Sequence, residues 1–128
     1  MARILVKSTK VDFGPALAPG GARILEVLKA YTSSGMLQDW AKDVFTITSA
    51  RDGTHSGPND PHHFGNAFDI RTHGLSPGVA QALLDHLIHT LGARFYAFIE
   101  YPGLPEEHIH VQVTKGTTYG IMDYLRNA

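Results

Sequence analysis

The chain contains no cysteine, which excludes a disulfide framework and a thiolate metal site, so any metal must be held by imidazole and carboxylate. It also lacks a charge excess. A formal net charge of -1 and a pI near 6.7 leave no reservoir of positive charge for a phosphate backbone or an anionic leaflet. Nucleic acid is therefore not expected as a partner. No apolar run approaches the roughly 20 residues of a membrane span, so no membrane insertion is expected. The opening has only Ile4, Leu5 and Val6 in a row before Lys7, too little for the apolar centre of a secretory signal. The expectation is synthesis as a soluble cytoplasmic protein with no signal peptide. Glutamate is scarce, with four residues against eight histidines. That imbalance turns attention to where the histidines fall.

What is present fits one domain: 128 residues, 43% of them hydrophobic, can bury a single core of ordinary size. Residues 1–21, with Pro15, Pro19 and Gly20, read as an extended N-terminal arm or loop. Ile24, Leu25, Val27, Leu28 and Tyr31 follow helical spacing from Ala22, and Ser33, Ser34 and Gly35 stop the helix. Val44 to Thr48 is β-branched and aromatic and reads as a strand running into a long polar loop, residues 49–65. Ala67 to Arg71 reads as a short strand with Phe68 and Ile70 on one face and Asp69 on the other. Ser76 and Pro77 match the opening of a second helix, whose buried stripe is Ala80, Leu83, Leu84, Leu87, Ile88 and Leu91 and whose end is Gly92. Strands follow over Phe95 to Ile99 and His108 to Thr114, and a half-buried turn over Tyr119 to Leu125. This order predicts an α+β fold with a mainly antiparallel sheet and helices on one side.

The alternation of Glu107-His-Ile-His-Val-Gln-Val113 sends His108, His110 and Gln112 to one face and Ile109, Val111 and Val113 to the other. The apolar set must face the core, so the two imidazoles look outward. Asp69 has the same placement on its own strand, and His62 lies seven residues before it across a turn at Gly65. Two histidines and one carboxylate make a ligand set typical of catalytic zinc, with a fourth position for water. A carboxylate nearby can then act as general base, and Glu107 is three residues from His110.

These residues resemble a known family. His62-His-Phe-Gly-Asn-Ala-Phe-Asp-Ile70 with Glu107-His-Ile-His110 is similar to the zinc D-Ala-D-Ala metallopeptidases, which include VanX- and VanY-type carboxypeptidases and phage L-Ala-D-Glu endolysins. The hedgehog signalling domain shares that fold. Histidine, glycine, alanine and aspartate at fixed offsets fall on His62, Gly65, Ala67 and Asp69, and the distant Glu-x-x-His falls on Glu107 and His110. The similarity runs from about Val44 to Val113. It implies a hedgehog-like peptidase fold, Zn2+ held by His62, Asp69 and His110, Glu107 as base, and His108 in a supporting or transition-state role. Many members also carry an arginine three residues after a serine that steadies the oxyanion; here Arg51 follows Ser49 by two. Asp60 stands where the family usually has serine. Relatives with the hedgehog fold place an acid near Glu100, which makes Glu100 the rival base and Glu106 the third.

The implied activity is hydrolysis of an amide bond in a peptidoglycan stem peptide, by a monomer that reaches the wall after release from the cell. The alternative is a non-catalytic zinc-binding module of the hedgehog kind, or a structural protein of a virion. Simpler readings apply elsewhere. His55 and His63 flank the site on the loop, and His73 reads as a loop residue. His86 and His89 read as a solvated helix face. Trp40, Phe45 and Phe98 read as core, and no glycine spacing matches a phosphate-binding loop.

Overall fold

The computed structural model describes residues 3–6, 18–33, 44–49, 67–75, 78–114 and 116–127. Within them the chain is α+β, in the order β1 (Arg3–Val6), α1 (Pro19–Ser33), β2 (Val44–Ser49), β3 (Ala67–Arg71), α2 (Val79–Leu91), β4 (Phe95–Glu100), β5 (His108–Val113) and α3 (Ile121–Asn127). The strands pair in the order β1-β2-β3-β5-β4; β1 runs parallel to β2, and β2, β3, β5 and β4 are antiparallel neighbours. Two expectations for the N-terminal arm change. Residues 3–6 are a strand in register with Val44 to Ile47, because pairing satisfies their backbone groups against an open sheet edge. The first helix begins at Pro19 rather than Ala22, since a proline in the first turn loses no helical hydrogen bond.

One apolar cluster joins the helices to the sheet. Ile24, Val27, Leu28 and Tyr31 of α1 and Leu83, Leu84 and Leu87 of α2 meet Phe45, Ile47, Phe68, Ile70, Ile109 and Val111. Both long helices therefore cover the same face. Each large side chain withdrawn from water there contributes about 1.5–3 kcal/mol. α1 buries positions spaced i, i+3, i+4 and i+7, the stripe an amphipathic helix presents to a sheet.

The second helix departs from its reading in three places. Its N-cap is Gly78, at φ 84 and with no side-chain cap; Ser76 and Pro77 lie outside the described residues. Ile88, expected in the buried stripe, is 52% exposed. His86 is not on a solvated face but stacks on Tyr31, with ring centroids 4.4 Å apart. Burial, followed by the nearby His89, lowers its pKa. The C-terminal end matches expectation, with Gly92 donating its N–H to the carbonyl of Ile88.

The closing turn is a short helix. Tyr124 donates to Glu26 Oε2 of α1 at 2.7 Å, and Arg94 pairs with Asp123, so α3 is fixed at both sides. Among the described residues no helix is long and apolar enough to cross a membrane.

Candidate metal centre

The face of the sheet away from the long helices carries the chemistry. Ile109 and Val111 are buried in the core, so the alternation of β5 turns His108, His110 and Gln112 the other way. The antiparallel register then sets three rows across β3, β5 and β4. Arg71, His108 and Glu100 make the first; Asp69, His110 and Phe98 the second; Ala67, Gln112 and Tyr96 the third. Residues directly opposite on such a ladder have Cβ atoms about 4.5–5.5 Å apart, which is why side chains 41 positions apart in sequence, Asp69 and His110, can touch.

Asp69, His108 and His110 lie together, each offering a ligand atom within 4.8 Å of the others. His110 Nδ1 is 2.9 Å from Asp69 Oδ1, and His108 Nε2 is 3.5 Å from the same oxygen. The remaining imidazole nitrogens also meet oxygen. His108 Nδ1 is 2.8 Å from the Glu106 carbonyl and its Nε2 is 2.8 Å from Glu100 Oε1. His110 Nε2 is 2.5 Å from Gln112 Oε1, while the amide nitrogen of Gln112 donates to the Val113 carbonyl. A neutral imidazole carries a single N–H. Each ring has an oxygen at both nitrogens. Burial by itself pulls the His110 pKa down; hydrogen bonds to Asp69 and Gln112, with the charges of Asp69 and Glu100, outweigh it, and the net shift is upward. Imidazole nitrogen and carboxylate oxygen are donors able to hold a metal ion.

The structure brings some expected residues together and not others. His62 and Arg51 lie outside the described residues, as do His55, Asp60, His63 and Gly65. Glu107 is described, and its carboxylate is occupied elsewhere. Gly103 N–H donates to Oε2 at 2.8 Å and Thr72 Oγ1 to Oε1 at 2.7 Å. These bonds, Gly103 first, hold its pKa below the usual carboxylate range. Thr72 is buried just after β3, so Glu107 ties the β4–β5 turn to the end of β3 while lining the same cleft as Arg71 and His108. Glu100, directly opposite His108, is the glutamate beside the cluster.

Four neighbours were not singled out from sequence for this place. Phe98, expected in the core, is 39% exposed with its ring 5.5 Å from that of His110, and Tyr96 stacks on it at 5.9 Å. Arg71 shares the face of Asp69 by the same two-residue period, a signal that was legible. His73 extends that edge in the turn after β3. Phe45, by contrast, is core as expected.

No protein-family profile, curated protein or solved structure matches this chain. The fold and the site define an α+β protein with a histidine and carboxylate cluster able to hold a metal ion.

Proposed function

We propose that this protein is a zinc peptidase that hydrolyses an amide bond in peptidoglycan stem peptides. The observation that carries the reading is the convergence of Asp69, His108 and His110 on one open sheet face with Glu100 beside them. The motif of His62 and Asp69 with His110 supports the choice of zinc and of substrate. In this reading Asp69 and His110 hold the metal, with His62 as the third ligand.

Zinc held by such a set polarises a carbonyl and makes water acidic enough to ionise near neutral pH. The protein's own groups do the rest. Glu100 takes the proton from the water that attacks the carbonyl carbon and returns it to the amine as the carbon–nitrogen bond breaks. His108, anchored through Nδ1 to the Glu106 carbonyl, holds the Glu100 carboxylate against the cluster at 2.8 Å. The ring of Phe98 lies against that of His110, with centroids 5.5 Å apart.

The test is digestion of purified stem peptides by the zinc-loaded protein, with products read by mass spectrometry and a chelator control. Cleavage that stops on chelation and returns with zinc is the expected result. A zinc-loaded protein that leaves every stem peptide intact contradicts the peptidase reading and favours a binding module. His62→Ala should lose zinc while His108→Ala keeps it; the reverse would give the third ligand position to His108.

A further inference from the structure

We propose that β4 is completed by β4 of a second copy of this chain, in a two-fold dimer that joins the two sheets and lends each metal face a ring from the other copy. The pairing is independent of the chemistry of that face. β4 ends the sheet on one side, and among the described residues no strand pairs with its outer edge. Natural sheets blunt such an edge with lysine, proline or a bulge. Phe95-Tyr-Ala-Phe-Ile-Glu100 has no lysine or proline, and its register with β5 is unbroken. Tyr96 and Phe98 are each 39% exposed. Beside the edge, Ile88 of α2 is 52% exposed although it falls in the apolar stripe of its helix. A groove of about 520 Å³ runs between Ile88, Gly92, Phe95 and Ala97.

The backbone fixes how a second strand can join. The Arg94 carbonyl accepts from Thr114 N–H, on the β5 side. Alternation in an antiparallel ladder then turns the N–H and carbonyl of Ala97 and Ile99, and the carbonyl of Phe95, to the open edge. An antiparallel copy with its two-fold axis at Ala97 exchanges hydrogen bonds between the two Ala97 residues and sets Phe95 opposite Ile99. Tyr96 then faces Phe98 of the second copy, whose ring lies against His110 of that copy. Ile99 of the second copy falls on the helix side, where the groove at Ile88 receives it. Arg94, its side chain half exposed, comes opposite Glu100 at both ends of the seam, so opposite charges meet twice. Moving the axis to Phe98 would set Arg94 against Pro102 and lose both pairs, and a one-residue slip would turn the side chains to the wrong face. The edge therefore complements itself in charge, rings and hydrogen bonds in a single register, which points to a second copy rather than an unrelated peptide as the occupant.

Sedimentation equilibrium of the full chain should give twice its 14.0 kDa, with a dimer Kd below about 100 μM. Ala97→Pro removes the two central hydrogen bonds while sparing the β4–β5 ladder, which uses the alternate residues. Ile88→Lys puts a charge into the groove from an exposed helix position, and carries the test if the proline variant fails to fold. Each should weaken the dimer by at least about 10-fold and leave the far-UV circular dichroism unchanged. The register has its own readout, because the chain lacks cysteine. Ala97→Cys should give a covalent dimer on oxidation, since residues opposed in a hydrogen-bonded pair have Cα atoms about 5.5 Å apart, within disulfide reach. Ile99→Cys should not, because the two Ile99 positions lie about 13 Å apart along the seam. A wild type still monomeric at about 100 μM, a dimer of full strength in Ile88→Lys, or cross-linking through Ile99→Cys in place of Ala97→Cys overturns the proposal.

Discussion

Replacing Glu100 by glutamine should abolish turnover while leaving the metal in place, and replacing Glu107 should not. Both glutamates lie near the motif in sequence, but their carboxylates have different partners. Glu100 Oε1 is 2.8 Å from His108 Nε2, whereas Glu107 spends both oxygens on Gly103 and Thr72. A positioned general base is worth about 100- to 10,000-fold in rate, so Glu100→Gln should lower kcat by that factor with zinc content unchanged. Glu107→Gln should keep kcat within about threefold, well below that general-base factor, and should instead loosen the β4–β5 turn. Its signature is pH dependence. The Glu107 pKa is depressed in the fold, so its stabilising contribution is present above the ordinary carboxylate pKa and fades as pH falls through the folded value. Glu107→Gln should flatten that acid limb in urea midpoints taken across pH. The paired assay is steady-state hydrolysis of a stem peptide by zinc-loaded variants with metal content measured on the same samples. Full activity in Glu100→Gln together with an inactive, zinc-replete Glu107→Gln would refute the reasoning.

Two further outcomes follow from the packing. Ile109, fully buried between the two histidines of β5, should cost about 2–5 kcal/mol on replacement by alanine and weaken zinc binding in parallel, as a urea titration with and without zinc would register. His86, its pKa lowered by burial against Tyr31 and by His89, binds protons less readily folded than unfolded. Stability should therefore fall as pH drops below about 6.5, and His86→Phe should remove that slope; an unchanged slope in the variant would contradict the assignment.

Local patterns were the legible part of this protein. The leucines of α2 and the alternation of β5 depend only on period, and period is written in the order of residues. Ile88 shows the limit: it fits the helical stripe, but the cover supplied by α1 and the sheet ends before reaching it. The strand at residues 3–6 was hidden because an apolar tripeptide becomes a strand only when another edge is beside it. The site divides in the same way. That Asp69 and His110 face outward followed from parity, whereas their contact needed the β3–β5 register, a nonlocal fact. The proposed base rests on a similar nonlocal fact. Glu107 is near His110 along the chain but precedes β5 and is held by Gly103 and Thr72, whereas the β4–β5 hairpin brings the more distant Glu100 opposite His108.

The most direct test of the account is zinc stoichiometry and affinity in the purified protein, wild type against Asp69→Ala and His110→Ala. The wild type should bind one zinc per chain, more weakly as acid protonates the His110 imidazole whose pKa the fold raises, and zinc should raise its unfolding midpoint. Each variant should lose affinity by more than the about 10- to 100-fold typical of an outer-shell partner. A wild type that binds no zinc, or a His110→Ala protein that retains one zinc with unchanged affinity, would contradict the assignment of this face as a metal centre.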